Sequence, residues 1–396
     1  MVSVPEATSI ILSNLFNPKV SNINLSDCLG KILAEPIVAD RDFPPFDRAT
    51  MDGIALAFDS YQKGVANFRI ESVQAAGEHR KKLKSNVACI EIMTGAMLPE
   101  GTDTIVPYEQ IEIKNDQATI NSKPVAKGQN IHLQGSDAKK DHLLLETGTV
   151  ISPAEVALLA SIGKTSVSVV SAPKIVIIST GNELVDIEQT PAPHQIRKSN
   201  SYALQAALAE LGIDSALLHL ADDQDQLKTE IKQALLDFDV LLLSGGVSKG
   251  KFDFVPSALE SLGVHKLFHQ VSQKPGKPMW VGKVGNKFVF ALPGNPVSTF
   301  LCFHRYVKPW LLRSMGTKPI TSKAILSKSF SFKGDLTYFL QVKLANIEGY
   351  LMAEPIVGGG SGDFVSLKEV DGFLELPRDK SEFKMGEAYL LVSFRA

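Results

Sequence analysis

The sequence predicts a multidomain α/β plus β protein, in which a doubly wound, mostly parallel sheet lies between two strand-rich regions. Three observations predict this class. Apolar strand-like runs alternate with helical patterns from about residue 173 to 318. Short β-like runs separated by Gly and Pro occupy residues 47–140, and a strand pattern returns over 320–396. Alternation of strands with helices is typical of a parallel sheet covered on both faces.

The composition excludes several classes of protein. The 396 residues have a formal net charge of -2, from 41 basic and 43 acidic side chains, so no global positive field favours nucleic acid or an anionic membrane. The three cysteines, Cys28, Cys89 and Cys302, form no CxxC pair, as is typical of a reducing compartment. No signal-like N-terminus and no apolar run of roughly 20 residues occurs. We expect a soluble cytoplasmic protein that binds neither nucleic acid nor membrane.

The N-terminal region contains helix and boundary signals. Ser3 and Pro5 predict the start of a helix, with Ile10 and Ile11 on its apolar side. A strand is predicted over 32–38. The two consecutive prolines that follow, in the segment RDFPPF, interrupt regular structure and predict a domain boundary.

The α/β region supplies the expected sheet and its helices. Near-continuous apolar runs predict buried strands at 174–179, 216–220, 240–244 and 288–292. Helices are predicted at 199–211, 224–237, 253–262 and 296–315. Asn295 is the expected N-cap of the last helix and Pro296 its first residue. Strand-like runs at 338–344, 350–355 and 389–394 predict a C-terminal barrel or sandwich.

Three glycine-rich loops follow strands of the predicted sheet, at residues 180–183, 245–248 and 293–296. In open α/β sheets, ligands bind beyond the carboxyl ends of the strands. Glycine lets the backbone approach a ligand closely, and the N-terminus of a following helix offers N–H groups to an anion. Because Lys274 and Lys277 lie between two of these loops, the pattern predicts a phosphate-bearing ligand. The alternative is that each loop is only a tight turn.

The second loop nearly matches a P-loop. Residues 245–251 read G-x-x-x-x-G-K after a strand, but Phe252 stands where that motif needs a hydroxyl to reach Mg²⁺. This departure argues against an NTPase.

Acidic side chains accompany the loops. Glu183, Asp222 and Asp253 lie at predicted strand ends, and Asp52 lies in the first β region. Carboxylates beside phosphate loops suit Mg²⁺, although each could serve only as an N-cap or turn residue. The chain has no GxGxxG, and its loops offer carboxylates and lysines rather than a Ser/His/Asp pattern. We therefore expect a transfer reaction catalysed by positioning and charge rather than by a covalent intermediate.

Six segments in order resemble the molybdopterin molybdenumtransferases, which include bacterial MoeA proteins and the C-terminal domain of gephyrin. They read PPFDRATMDGIAL, TGAMLPEGTDTIVPYE, STGNEL, SGGVSKGKFDFV, KPGKP and LPGNPVS. The resemblance covers nearly the whole chain. It implies a homodimer whose active site is shared between subunits. It also implies four domains: an α/β molybdopterin-binding domain (1–21 and 173–318), a linker domain (22–46 and 136–172), an outer β domain (47–135) and a C-terminal β-barrel (319–396).

The resemblance also implies the reaction and its residues. Molybdate would enter adenylylated molybdopterin with release of AMP, and a molybdopterin adenylyltransferase would be a transient partner. The implied catalytic residues are Asp52, Thr94, Asp137, Glu183, Asp222 and Asp253. Of these, Glu183, Asp222 and Asp253 would bind Mg²⁺ or orient water, and Asp52, Thr94 and Asp137 would act from the opposite subunit. The implied cofactor-binding residues are Gly245, Gly246, Ser248, Lys274, Lys277, Pro293, Gly294, Asn295, Pro296 and Ser361.

The chain departs from the family pattern in its charges. Many relatives have an Arg-rich run where this chain has His132, Leu133 and Gln134, and a basic residue where it has Gln270. Lys251 stands where an acidic residue is common. Because tetrahedral dianions rely on Arg and Lys, a weaker or rearranged molybdate pocket is expected, with Lys249 and Lys251 as possible compensation.

Two other functions stay open on the sequence. A related phosphate-ligand enzyme, such as a nucleotide pyrophosphatase or deamidase, would keep the glycine loops without needing the outer β region. A non-enzymatic scaffold would fit the loss of basic residues, but not the retention of Asp52, Glu183, Asp222 and Asp253.

Overall fold

The computed structural model describes residues 1–121, 124–247, 254–317 and 321–395. Its α-helices are α1 (Val4–Leu12), α2 (Phe58–Gln62), α3 (Pro153–Ser161), α4 (Ser199–Ala209), α5 (Gln224–Asp237), α6 (Val255–Ser261), α7 (Pro296–Cys302) and α8 (Lys308–Ser314). Residues Phe303–Val307 form a π-helical turn between the last two. Single 3₁₀ turns occupy Leu25–Asp27, Tyr108–Gln110 and Phe364–Glu369.

The strands are named in chain order. Those before residue 150 are β1 (Val20–Asn24), β2 (Ile37–Val38), β3 (Arg48–Ala49), β4 (Gly53–Leu56), β5 (Asn67–Gln74), β6 (Ala88–Ile92), β7 (Thr104–Pro107), β8 (Ile111–Lys114), β9 (Gln117–Ile120), β10 (Ile131–His132) and β11 (Leu143–Leu145). Those between 160 and 300 are β12 (Ser166–Val170), β13 (Ile175–Thr180), β14 (Leu184–Val185), β15 (Ile196–Arg197), β16 (Ser215–Leu220), β17 (Val240–Ser244), β18 (His265–His269), β19 (Gln273–Lys274), β20 (Trp280–Val284) and β21 (Lys287–Leu292). The last are β22 (Ser322–Leu326), β23 (Phe330–Ser331), β24 (Thr337–Ile347), β25 (Tyr350–Pro355), β26 (Gly372–Leu376), β27 (Glu382–Phe383) and β28 (Ala388–Ser393).

The chain divides into two compact units. The first unit is Met1–Ala34, Gly148–Ser152 and Ser166–Ala396, and the second is Glu35–Thr147 and Pro153–Thr165. The four-domain division implied by the family resemblance is finer than this partition and stays a prediction.

The first unit is built on a six-stranded sheet in the order β16-β13-β17-β21-β20-β18. The first four strands are parallel and the last two antiparallel. Side chains of β13 alternate between two cores, because Ile175 and Ile177 face one and Val176 and Ile178 face the other. Helices α1, α4, α7 and α8 cover the first face, and α5 and α6 cover the second. The predicted doubly wound, mostly parallel architecture is confirmed.

Helix α1 begins as its sequence predicts. Ser3 Oγ accepts from Glu6 N, and the Glu6 carboxylate accepts from Ser3 N, which forms a capping box. Beyond its end, the carbonyl oxygen of Asn14 accepts from Trp310 Nε1 at 2.8 Å. Trp310 is fully buried, with its ring 4.7 Å from that of Phe288. Burial of such side chains contributes roughly 1.5–3 kcal/mol each.

Two element predictions were wrong in detail. The strand expected over 32–38 is only β2, preceded by isolated bridges at Ile32 and Leu33. Pro36 interrupts the run because it has no N–H for a ladder. The single helix expected over 296–315 is instead α7, a π-helical turn and α8. Pro309 explains this break, since its ring clashes with the carbonyl group four residues earlier.

The first unit also contains a closed barrel. Strands β24, β25, β22, β28 and β26 pair in sequence, and β26 returns to β24. Strand β19 pairs in parallel with β24, with Gln273 opposite Thr337. Of the two C-terminal folds predicted, the barrel is confirmed.

The second unit contains a six-stranded sheet in the order β7-β4-β6-β5-β9-β8. Ile54, Phe68 and Val106 are fully buried at its core. A separate two-stranded pair joins β3 to β10, with His132 opposite Arg48. The strand-rich character predicted for this stretch is confirmed.

Candidate active site

A cavity of about 850 Å³ opens at the carboxyl ends of β13, β17 and β21 in the first unit. The three glycine-rich loops supply much of its wall, and β19 and the barrel supply the rest. Of the predicted site residues, the lining includes Glu183, Asp222, Gly245, Gly246, Lys274, Lys277, Pro293, Gly294, Asn295, Pro296 and Ser361.

The glycine loops meet closely at the base of this cavity. Gly245 and Gly246 have φ of +103 and +67, a region that favours glycine. A Cβ at Gly245 would lie 2.9 Å from the carbonyl oxygen of Thr180, and a Cβ at Gly294 would lie 3.5 Å from the Cα of Gly245. The 2.9 Å distance excludes a side chain at Gly245, so glycine there allows the loop to pack closely against Thr180.

Asn200, at the start of α4, connects two of the loops. Its Nδ2 donates to Ser244 Oγ at 2.9 Å and to the carbonyl oxygen of Gly294 at 2.8 Å. Its Oδ1, together with Thr180 Oγ1 and Ser201 Oγ, is buried without a hydrogen-bond partner among the described residues. Buried polar atoms of this kind are normally satisfied, so their position beside the cavity is consistent with a polar ligand.

Two acidic side chains reach the cavity from neighbouring loops. The Glu183 carboxylate folds over Gly181, where a Cβ would lie 2.5 Å from Glu183 Oε2. Asp222 Oδ2 accepts from Asn182 N at 3.3 Å, and Asp222 N donates to Asn182 Oδ1 at 3.1 Å. These reciprocal bonds fix the two loops against each other.

The donor set fits a hard divalent cation. Mg²⁺ is commonly bound by one or two carboxylates together with phosphate oxygens and water, so Glu183 and Asp222 are chemically suitable. Within the described ranges, no group of three or more His, Cys, Asp or Glu side chains could hold a metal by itself. Asp253, the third predicted ligand, lies outside the described residues, as does Ser248.

The KPGKP loop is held from below by a buried glutamine. Gln273 Nε2 donates to the carbonyl oxygen of Pro275 at 3.1 Å, and Gln273 Oε1 accepts from the Tyr306 hydroxyl. A Cβ at Gly276 would lie 2.8 Å from Cys302 Sγ. Burial raises the pKa of Cys302 to about 12, so this thiol is structural.

The two lysines of the loop both line the cavity. Lys274 Nζ lies 5.5 Å from the centre of the Phe332 ring, a cation–π contact that restrains an otherwise exposed side chain. Together with Lys277, it places positive charge on the wall of the cavity that Glu183 and Asp222 also line.

The start of α7 differs from the sequence expectation. Asn295 occupies the N-cap position, but its side chain makes no capping bond. Its Nδ2 instead donates to Ser361 Oγ at 2.8 Å, and the carbonyl oxygen of Ser361 accepts from Val297 N at 3.1 Å. The loop that carries Ser361 thus satisfies an amide at the start of α7 that, without a side-chain cap, would otherwise be left free.

Sequence reasoning missed the residues just before α4. Arg197 and Lys198 both line the cavity, and Lys198 Nζ lies 2.7 Å from Asp186 Oδ1. The hydrogen bond from Lys198 lowers the pKa of Asp186. The sequence pattern that could have indicated them is two consecutive basic residues before the start of a helix. Such a pair is common on protein surfaces and does not by itself indicate a binding site.

The second unit holds the remaining predicted residues. Asp52 Oδ1 accepts from Thr94 Oγ1 at 2.7 Å and from Thr94 N at 2.5 Å. These hydrogen bonds lower the pKa of Asp52, because they stabilise the charged form. Asp137 Oδ1 lies 2.8 Å from His132 Nε2. The structure therefore pairs Asp52 with Thr94, and Asp137 with His132. From the sequence, His132 was noted only as a position where many relatives have arginine.

The chain is similar to known proteins both in sequence and in fold. Three family descriptions match in succession: "MoeA N-terminal region (domain I and II)" over residues 2–163, "Probable molybdopterin binding domain" over 176–313, and "MoeA C-terminal region (domain IV)" over 323–392. A molybdopterin molybdenumtransferase of Synechocystis is 41% identical over 394 residues, which is 98% of this chain and 99% of the relative. The chain belongs to the molybdopterin molybdenumtransferase family.

Other members of the family agree. The Bacillus subtilis molybdopterin molybdenumtransferase is 34% identical over 94% of this chain and 89% of its own length. Two solved structures of molybdopterin biosynthesis MoeA proteins from Pyrococcus horikoshii have TM-scores of 0.84 and 0.85. They are 32% and 29% identical to this chain, and cover 100% and 99% of both chains. The family and the multidomain fold inferred from the sequence are confirmed.

The charge departures from the family pattern fall in different places. His132 pairs with β3, whereas Gln270 has a left-handed backbone with φ of +69 and receives its hydrogen bond from Val2 N through its carbonyl oxygen. Lys249 and Lys251 lie outside the described residues.

Over the described part of the chain, no helix is long and apolar enough to cross a membrane.

Proposed function

We propose that this chain inserts molybdenum from molybdate into adenylylated molybdopterin and releases AMP. The observation that carries this proposal is that glycine loops, two carboxylates and two lysines line one cavity. Such a site suits a ligand that contains phosphate, and family membership supports a molybdenum cofactor intermediate as that ligand. Since the described residues of this cavity offer no Ser/His/Asp arrangement, catalysis rests on positioning and charge.

We assign the substrate phosphates to the glycine loops and the lysines. The loop of Gly245 and Gly246 lines the cavity without side chains that would block an anion, and Lys274 and Lys277 supply positive charge. Ser248 continues the same loop. Pro293, Gly294, Asn295, Pro296 and Ser361 form the wall that would hold the pterin and adenylate groups.

We assign a divalent cation, Mg²⁺ in the first instance, to Glu183 and Asp222, with Asp253 as the third ligand. When bound, the cation would neutralise negative charge on the adenylyl phosphate. The role of the protein is to present both carboxylates at one cavity and to keep their loops fixed through the Asn182–Asp222 hydrogen bonds.

The active enzyme is proposed to be a homodimer. In this arrangement Asp52, Thr94 and Asp137 of one subunit would complete the cavity of the other. Their location in a different compact unit from the cavity is compatible with this division. We further propose that the enzyme acts in the cytoplasm and receives its substrate from a molybdopterin adenylyltransferase through a transient contact.

The test is an assay with purified enzyme, adenylylated molybdopterin, molybdate and Mg²⁺. We expect AMP release together with formation of metal-loaded cofactor. Glu183→Ala should fold normally and abolish both. A matched control is Glu210→Ala at the exposed C-cap of α4, which should retain activity. Full activity of Glu183→Ala, or no AMP release by the wild-type enzyme, would refute the proposal.

A further inference from the structure

Three side chains of the second unit form a continuous hydrogen-bonded chain. Arg48 Nη2 lies 3.1 Å from His132 Nδ1, and His132 Nε2 lies 2.8 Å from Asp137 Oδ1. The His132 side chain is 29% exposed and the Asp137 side chain 57%, so the carboxylate faces outward while the imidazole behind it is largely covered.

The backbone of this region brings the three residues together. Strands β3 and β10 pair antiparallel, which sets His132 directly opposite Arg48. The chain then turns, and the amides of Asp137 and Ala138 both donate to the carbonyl oxygen of Phe43, at 2.9 and 3.2 Å. The backbone of Asp137 is therefore fixed on one side, and its side chain is fixed by His132 on the other.

The identities of the groups determine where the proton lies. A guanidinium group can only donate, so His132 Nδ1 must accept from Arg48. Nε2 then carries the hydrogen of the neutral ring and donates it to Asp137 Oδ1. Within the described residues, Asp137 Oδ2 has no hydrogen-bond donor in this chain. One oxygen of the Asp137 carboxylate therefore accepts a hydrogen bond from His132, whereas the other accepts none from the described residues.

We propose that His132, locked in one tautomer by Arg48, is a positioning residue that orients Asp137 for the transfer reaction. This inference rests on the proposed function, because that function assigns Asp137 to the active site. His132 does not itself contact the substrate. It restricts the rotation of the exposed Asp137 carboxylate. Less conformational entropy is then lost when this carboxylate takes the orientation that the reaction requires.

Two substitutions at the same position separate orientation from folding. His132→Leu removes both hydrogen bonds. His132→Gln carries an acceptor and a donor on one planar group, so it can accept from Arg48 and donate to Asp137. His142→Leu is the matched control, because His142 is exposed in the same unit and, among the described residues, is hydrogen-bonded only through its backbone.

The experiment measures kcat and KM for AMP release, with the melting temperature of each variant. We expect His132→Leu to lose roughly 10- to 100-fold in kcat, with KM and melting temperature little changed. His132→Gln should recover most of that loss, and His142→Leu should match the wild-type enzyme. Wild-type kcat in His132→Leu, or an equal loss in His132→Gln, would overturn the inference.

A second measurement does not depend on the reaction. The nitrogen NMR spectrum of isotope-labelled His132 should show the hydrogen on Nε2, and Arg48→Leu should release this preference. A ring protonated on Nδ1 in the wild-type protein would refute the inference even if the enzyme were active. A wild-type enzyme without AMP release would refute the proposed function alone, and the NMR result would then decide whether His132 orients Asp137.

Discussion

The side-chain amide of Asn200 donates to the carbonyl oxygen of Gly294 across 2.8 Å, and so connects the start of α4 to the loop that follows β21. The same nitrogen reaches Ser244 Oγ at the end of β17. One amide therefore sets the spacing of two loops that line the cavity. The geometry of the glycine loops depends on this side chain as well as on the sheet beneath them.

Replacing Asn200 with Ala should disturb both stability and ligand binding. Loss of these hydrogen bonds leaves polar groups unpaired, so the free energy of unfolding should fall by about 1–3 kcal/mol in chemical denaturation. The rate of AMP release should fall by more than the smaller fraction of folded protein accounts for, because the two loops that line the cavity would no longer be held at a fixed spacing. Gln205→Ala is the control, since Gln205 donates to Ser215 from the same helix. Equal activity in the two variants would contradict this role.

Gly246→Ala should destabilise the protein by steric conflict. A Cβ at this position would lie 2.7 Å from Val255 Cγ2, on a backbone with φ of +67. Gly263→Ala is the control, because Gly263 has φ of +81 with nothing within 4 Å of the added carbon. We expect Gly246→Ala to lower the free energy of unfolding by about 1–3 kcal/mol more than the control. The measurement is urea denaturation of both variants.

Thr94→Val should raise the pKa of Asp52. The Thr94 hydroxyl bond is the largest cause of the lowered pKa, and the amide bond from Thr94 N remains in the variant. If ionised Asp52 is required, the acidic limb of the kcat/KM profile should move to higher pH. Thr119→Val is the control, since its hydroxyl bonds Asn67 elsewhere in the unit. An unmoved acidic limb would exclude this requirement.

His304 should make the stability of the protein depend on pH. Burial lowers the pKa of His304 to about 3, from 6.5, and neither ring nitrogen has a hydrogen-bond partner among the described residues. Between these pH values the unfolded chain binds a proton that the folded chain does not. The free energy of unfolding should therefore decrease as pH falls through this window, by up to about 1.4 kcal/mol per pH unit.

His304→Leu tests this contribution, because leucine is apolar and does not titrate. The variant should lose less stability than the wild type between pH 6.5 and 4. His265→Leu, at an exposed histidine of β18, should leave the pH dependence unchanged. Denaturation midpoints measured across this range decide the matter, and parallel curves for His304→Leu and the wild type would exclude the effect.

Removal of divalent cations should abolish AMP release, and added Mg²⁺ should restore it. Asp222→Asn keeps the size of the side chain but removes a negative charge, so restoration should require a higher Mg²⁺ concentration. Asp214→Asn, at an exposed position before β16, is the control. A Mg²⁺ requirement that is the same for Asp222→Asn and the wild type would remove Asp222 from the proposed site.

Local patterns predicted much of the first unit because they reflect local causes. The buried run at β13 and the capping signals of Ser3 and Pro5 correspond to a strand and a helix. The errors have local causes too. Pro36 interrupts a predicted strand, and Pro309 accounts for the π-helical turn in a predicted helix. Each proline is visible in the sequence, and its effect on backbone hydrogen bonds is known. The two predictions nevertheless followed the apolar pattern of the surrounding residues.

By itself, the sequence determined the fold class, the family and the three glycine loops at strand ends, since each depends on spacing along the chain. Only the tertiary structure decided which side chains support those loops. Asn200 reaches Gly294 across 94 positions, Asn295 reaches Ser361 across 66, and Arg48 reaches His132 across 84. Hydrogen bonds at such separations depend on strand register and packing, which no local periodicity encodes.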